Sequence, residues 1–249
     1  MRMERVYRQM SNKGIEYEGN KEKKVYKTFQ TISDDYDKLN DVISFCRHKT
    51  WKKDAIKKLN IEAHSNVLDI CCGTGDLSIL LSGVCNGQIH VVGLDFSENM
   101  LLVANKRKKK LGLKNIDFIH GNAMALPFED NTFDHVTIGF GLRNTPDYRA
   151  TIREMKRVLK VGGTVACIDT SKPTFPIYKE IYGLYFRYLM PMMGQVLSRH
   201  KDEYKWLNQS TEEFLSKNEL KDMFLEAGFR SVKVKSYAGG AAALHIGTK

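Results

Sequence analysis

The chain has no long apolar run. Its longest charge-free stretch, Leu77 to Leu94, is interrupted by Ser82-Gly83 and Asn86-Gly87-Gln88, polar and turn-prone groups that suit water better than lipid. A membrane-spanning helix is not expected, and the polar amino terminus offers no apolar core for a signal peptide. Paired cysteines are missing too. Cys46, Cys71, Cys72, Cys85 and Cys167 are odd in number and never spaced C-x-x-C. That excludes a zinc knuckle or a secreted disulfide framework, so reduced thiols, a cytoplasmic setting and no metal are expected. A surplus of negative charge is also absent: 39 Lys+Arg against 29 Asp+Glu leaves +10. That balance permits a phosphate-rich partner or an anionic membrane surface and identifies neither. No internal repeat or low-complexity tract occurs. What is present is 249 residues, 42% hydrophobic and 27% charged, enough to bury the core of one large α/β domain.

Periodicity divides that length. Residues 1–24 are polar and charge-rich and are expected to form a mobile leader. From Val25 the pattern turns helical: Phe29, Ile32, Tyr36, Leu39 and Ile43 recur at three- and four-residue intervals, and Trp51, Ile56 and Leu59 repeat the theme. Ser33-Asp34-Asp35 and Asn40-Asp41 are expected to cap or break these helices, which make a lid over 25–60. From about Asn66, strands and helices alternate. Val67–Ile70, Ile89–Leu94, Ile116–His120, Phe133–Ile138 and Thr164–Asp169 read as buried strands, with Leu77–Leu81, Ser97–Leu111 and Tyr148–Leu159 as helices between them. Such alternation implies right-handed crossovers and a Rossmann-like, mostly parallel sheet covered on both faces. Residues 174–216, rich in tyrosine and methionine, break the alternation as a cap insertion suited to an apolar ligand or to plain core. Val232–Tyr237 and Ala242–Gly247 read as a closing antiparallel hairpin, so 25–249 is one domain.

The most informative stretch is Asp69-Ile70-Cys71-Cys72-Gly73-Thr74-Gly75-Asp76. Gly73 and Gly75, following the first strand, allow a sharp turn and a close approach to a ligand. A dinucleotide site would continue to a third glycine, but that position holds Ser78. Asp69 would repel a pyrophosphate and suits a ligand with a cationic amino group. Asp95 ends the second strand about 20 residues on, where a carboxylate accepts both hydroxyls of a ribose. A nucleoside with an ammonium and no pyrophosphate describes S-adenosylmethionine. The pattern D-x-x-x-G-x-G resembles the first motif of class I methyltransferases. Gly121-Asn122-Ala123 falls where that family lines the adenine, and Leu159–Gly163 matches its turn before the fifth strand.

A narrower resemblance runs from about Lys24 to the end. The glycine loop, Asp95-Phe96-Ser97-Glu98-Asn99-Met100, Leu126-Pro127-Phe128, Gly139-Phe140-Gly141-Leu142-Arg143-Asn144 and Tyr36-Asp37-Lys38-Leu39-Asn40 are similar to the ubiquinone/menaquinone biosynthesis C-methyltransferases, above all their Gram-positive, menaquinone-forming branch. The resemblance implies methyl transfer to a ring carbon of a prenylated naphthoquinol, demethylmenaquinol to menaquinol. It maps cofactor positions onto Thr74, Asp95, Asn122 and Ala123. The family often has Asp where this chain has Asn122, whose amide can still donate to and accept from adenine. A lipid-borne substrate implies peripheral contact with the inner membrane face, and a homodimer is compatible with it.

The chemistry needs donor and ring carbon held in line with water excluded, and it needs the neighbouring hydroxyl to lose a proton that ordinarily leaves near pH 10. Arg143 and Asn144 follow the fourth strand, at the edge where such folds place chemistry. Arg143 is read as a stabiliser of the forming phenolate, against the plainer reading of a loop anchor bonded to a carboxylate such as Asp147. Tyr36 is read as orienting the ring or an activated water. His48, His120 and His200 are open as bases, with nothing in their spacing to choose one. The rivals are a nucleic-acid methyltransferase, an enzyme for another small lipophilic acceptor, and a basic RNA-binding module. The basic run Lys106-Arg107-Lys108-Lys109-Lys110 motivates nucleic acid but ends a helix, where cations favour the dipole and a solvated face is the usual meaning. An N-P-P-Y-like tetrapeptide after the fourth strand and a Cys beside Pro are both absent.

Overall fold

The computed structural model describes residues 20–33, 36–173, 206 and 209–249. Three helices come first: α1 (Asn20–Ile32), α2 (Tyr36–Ile43) and α3 (Arg47–Lys58). The first begins inside the expected leader. Val25, Phe29 and Ile32, spaced along one face, are buried and pack with Met100 and Trp206. Asn40-Asp41, expected as a break, lie within α2; the chain turns later, where Phe45 and Cys46 adopt left-handed conformations (φ 50 and 59). Next, α3 buries Ala55, and Leu59 just beyond it, against Ile168 and Leu244.

Seven strands follow: β1 (Asn66–Ile70), β2 (His90–Asp95), β3 (Ile116–His120), β4 (Phe133–Gly139), β5 (Leu159–Thr170), β6 (Ser231–Tyr237) and β7 (Ala242–Thr248). They make one sheet in the order β3-β2-β1-β4-β5-β7-β6. The first five are mutually parallel, and β7 runs antiparallel to both β5 and β6, as the closing hairpin requires. Between them lie α4 (Asp76–Ser82), α5 (Glu98–Lys110), α6 (Tyr148–Val158) and α7 (Lys217–Glu226). Central strands with both faces covered show no exposed face: the adjacent residues Val67 and Leu68, Val91 and Val92, and Val165 to Ile168, which point to opposite faces, are all 2% exposed or less. Side-chain caps start α5, α6 and α7, with Ser97 accepting from the Met100 N–H, Asp147 from Ala150, and Ser216 closing a capping box with Glu219.

The expected turn at Lys160–Gly163 belongs to β5 itself. Pairing with β4 jumps from Phe133–Leu159 to His135–Thr164, so the extra residues bulge out. Gly162 and Gly163 there bond with Lys249 at 3.1 and 3.0 Å. Of the expected cap, residues 174–205 and 207–208, with their tyrosines and methionines, lie outside the described residues. Phe214, near its end, is buried in the main core, edge-on to Tyr148 at 5.3 Å. No helix among the described residues is long and apolar enough to cross a membrane.

One topological fact places the site. From β1 the chain moves outward to β2 and β3, then returns to β4 on the other side of β1. The loops after β1 and β4 therefore diverge at the carboxyl edge and leave a crevice between them.

Candidate active site

The crevice is bounded by two loops in close contact. After β1, the backbone passes through left-handed conformations at Cys71 and Gly73 before α4 begins. After β4 it reaches Gly141, where an added Cβ would lie 2.5 Å from the Cys71 Cβ. Only glycine permits that approach. Above the two loops is a cavity of about 770 Å³, open to solvent. Asp95, Asn122, Ala123 and Gly73 form its polar side; Val25, Phe29, Phe96 and Met100 are among its apolar walls, and Tyr36, Phe140 and Asn144 complete it.

Asp95 is central. It is 4% exposed, and its two oxygens accept the backbone N–H groups of Gly73 and Ser97 at 2.8 and 2.9 Å. The two oxygens carry about four lone-pair sites between them, so these bonds do not saturate the carboxylate. Burial pushes its pKa up to about 6, against the lowering effect of the Ser97, Gly73 and Phe96 N–H groups and of His120. Asn122 Oδ1 accepts from the Met124 N–H at 2.8 Å, which shapes the short turn after β3.

The motif's other members do different work. Asp69 is buried behind the loop, accepting from Ser78 Oγ and Thr137 Oγ1 at 2.6 and 2.8 Å, and burial pushes its pKa to about 6. Ser78, the residue at the missing third glycine, is thus its hydrogen-bond partner. Gly75 does not line the cavity: a Cβ there would sit 2.6 Å from the Phe118 ring and 3.2 Å from Ala104, so the glycine lets α4 pack close to β3 and α5. Thr74 Oγ1 donates to Asp37 Oδ1 at 2.6 Å, tying the glycine loop to α2. Burial also pushes the Cys71 and Cys72 thiols well up, so neither is poised as a thiolate.

Beyond β4, Arg143 does not line the cavity. It is 6% exposed, its Nη1 donates to Asp169 Oδ1 and to the Phe140 carbonyl, both at 2.7 Å, and its backbone N–H reaches Asp169 Oδ2 at 3.2 Å. The anchoring carboxylate is Asp169, since Asp147 caps α6. Its neighbour Asn144 does line the cavity; its Nδ2 donates to the Phe140 carbonyl at 3.4 Å, and its buried Oδ1 has no hydrogen-bond partner among the described residues. Tyr36 enters from α2, edge-on to Phe29 at 5.7 Å. Of the histidines, His48 is buried against Asp41 at 2.9 Å, His120 donates to the Phe96 carbonyl, and His200 lies outside the described residues.

Two contributors escape a reading of motifs. Arg107, from the basic run, donates to Asp37 at 2.7 Å and to the Thr74 carbonyl at 3.1 Å, and Lys108 bonds Asp117 at 3.3 Å. Two members of that run are therefore tied into the fold, while Lys106, Lys109 and Lys110 are exposed. Lys52 is buried in α3 with its ammonium 2.7 Å from Asp76.

A model of the ubiE/COQ5 methyltransferase family matches residues 17–249. The chain belongs to the ubiE/COQ5 methyltransferase family. It is 52% identical over 229 residues to the demethylmenaquinone methyltransferase of Staphylococcus saprophyticus, covering 92% of this chain and 97% of that one. Against the enzyme of that name from Oceanobacillus iheyensis the identity is 51%, over 92% and 96%. Among solved structures, a SAM-dependent methyltransferase from Aquifex aeolicus superposes with a TM-score of 0.61 at 21% identity, over 85% of this chain and 96% of that one. One from Thermotoga maritima gives 0.66 at 22%, over 90% and 99%. These distant likenesses establish the class I methyltransferase fold that the strand order already describes. The family's cofactor fits the residues present: Asp95 lines the cavity with acceptor capacity left for ribose hydroxyls, and Asn122 and Ala123 wall the same cavity one strand away.

Proposed function

We propose that this chain methylates a ring carbon of a prenylated naphthoquinol, converting demethylmenaquinol to menaquinol with S-adenosylmethionine as donor. The observation that carries the reading is the cavity at the strand-order reversal, with Asp95 and Asn122 on one side and aromatic and aliphatic walls facing them. Half-identity across 92% of the chain to relatives named demethylmenaquinone methyltransferase supports the choice of acceptor.

S-adenosylmethionine supplies a methyl group already activated on a sulfonium. This chain's residues then have three tasks. Asp95 takes the ribose hydroxyls, while Asn122 and Ala123 line the adenine. Phe29, Phe96 and Phe140 exclude water and Tyr36 orients the quinol ring, so that the acceptor carbon approaches in line. The buried Asn144 Oδ1 accepts a hydrogen bond from the ring hydroxyl, which raises electron density on the neighbouring carbon that takes the methyl group. Arg143, fixed by Asp169 and the Phe140 carbonyl, is a positioning residue that holds the loop carrying Phe140 and Asn144. The prenyl tail keeps the substrate in a bilayer, so the encounter takes place at the inner membrane surface.

The test is direct. Enzyme, methyl-labelled S-adenosylmethionine and demethylmenaquinol are incubated, and the extracted quinones are weighed by mass spectrometry. Label should appear as one methyl per ring; its absence refutes the reading.

A further inference from the structure

A second cavity, about 390 Å³, opens behind the first. The two share Tyr36, Cys71, Gly73 and Phe140, so they meet at the glycine loop. Their chemistry differs. The second is lined by three carboxylates, Asp37, Asp69 and Asp76, and among its lining residues Lys52 is the one cation.

Lys52 is an unusual lysine. Its side chain is 8% exposed, and its stem passes the carboxyl end of β4, with Cε 3.9 Å from where a Cβ on Gly139 would lie. Lysine is almost never buried to this degree without a paired charge. Its Nζ donates to Asp76 Oδ2 at 2.7 Å. An ammonium has three N–H donors, so a single carboxylate oxygen leaves two for other acceptors. The carboxylates around it are engaged with other partners: Asp37 with Thr74 and Arg107, Asp69 with Ser78 and Thr137, and Asp76 also with Arg107 at 3.5 Å.

With an adenosyl group in the first cavity, its ribose on Asp95, the amino-acid tail has to leave past Gly73. That direction leads into the second cavity. The tail is a zwitterion, and its carboxylate would meet three like charges there unless a cation received it. We propose that Lys52 is the anchor for the α-carboxylate of the cofactor's amino-acid tail, with Asp76 holding the ammonium in place. This rests on the reading that the first cavity takes S-adenosylmethionine.

Calorimetry with two ligands separates the alternatives. S-adenosylhomocysteine carries the whole tail, and 5′-methylthioadenosine lacks the amino acid and its carboxylate. Lys52→Met should weaken S-adenosylhomocysteine by about 10- to 100-fold, a charge-assisted hydrogen bond's worth, and leave methylthioadenosine within about threefold. Lys52→Arg should retain most of the binding. A variant that weakens both ligands equally, or neither, overturns the proposal, since Lys52 would then only brace α3 against α4. A second measurement needs no variant: on wild-type protein, decarboxylated S-adenosylmethionine should bind more weakly than the intact cofactor by a similar factor, and equal affinity overturns the proposal. If wild-type protein binds methylthioadenosine but shows no preference for the full tail, the Lys52 site fails while the adenosyl reading stands. If it binds neither, both fall.

Discussion

Asp95 offers the most exacting test, because its two properties pull in opposite directions with pH. Its carboxylate is buried and its pKa sits near 6, well above the ordinary value of 3.8. Ribose hydroxyls donate, so they bind the ionised form. A hydrogen bond to a charged group contributes about 1.5–3 kcal/mol, and two place the loss at about 3 kcal/mol or more, roughly 100-fold in Kd, for Asp95→Ala. The group is already out of water in the free protein, so the ligand adds little desolvation. With a 100-fold preference for the ionised form, affinity should be flat above about pH 7 and fall about tenfold per unit below pH 6.

Stability without ligand should move the other way. A carboxyl whose folded pKa is raised binds more protons folded than unfolded between about 4 and 6, so its contribution to stability is largest at low pH and is lost as pH rises through about 6. Calorimetric titrations of S-adenosylhomocysteine from pH 8 to pH 5, with a melting scan at each pH, measure both trends. Asp69 titrates near the same value, so the slope that disappears in Asp95→Asn is the part belonging to Asp95. A wild-type Kd that stays constant from pH 8 to pH 5 while the protein is folded refutes the ribose assignment. So does an Asp95→Ala variant within threefold of wild type at pH 8.

Three further changes probe the scaffold. Arg143→Ala leaves the Asp169 carboxylate, 1% exposed, without its cation, and should destabilise by about 3–5 kcal/mol in urea unfolding while lowering the methylation rate more than cofactor affinity; a wild-type urea midpoint contradicts the anchoring role. Gly75→Ala puts a Cβ into the Phe118 ring at φ +79 and should cost about 2–4 kcal/mol, with Phe118→Leu restoring part of it; a neutral Gly75→Ala would show that α4 can shift freely. Arg107→Gln breaks a half-exposed link between α2 and the glycine loop, so unfolding should change by about 1 kcal/mol or less. Hydrogen exchange in α2 and cofactor dissociation should nevertheless quicken, and unchanged rates of both would mean that the link does not hold the lid.

The fold was legible because the central strands are covered on both faces and therefore appear as short apolar runs between glycine-bearing turns. Asp95 was legible for a related reason: strand length and loop length put the end of β2 beside the glycine loop, whatever fills the helix between. Motif letters were poorer guides to contact. Gly75 belongs to the same signature as Gly73 yet packs on Phe118, and Thr74 bonds α2 while also lining the second cavity. Arg143 was placed correctly at the carboxyl edge, but the direction of its side chain depends on Asp169, a strand away and 26 residues later.

Lys52 shows where a signal existed and composition hid it. The segment Arg47–Lys58 is rich in basic residues, and the apolar stripe visible in it and just beyond it is Trp51, Ile56 and Leu59. The buried positions are instead His48, Lys52, Ala55 and Leu59, spaced four, three and four apart, which is one continuous helical face. Lys53, its immediate neighbour, is exposed. A lysine on the core-facing stripe of a helix must find a carboxylate there, because an unpaired buried ammonium is too costly to keep. The partner is Asp76, the acid that directly follows Gly75 in the glycine loop. The same physical demand that buried Lys52 has therefore delivered a positive charge to the back of the cofactor loop, from a helix whose visible core stripe held only Trp51, Ile56 and Leu59.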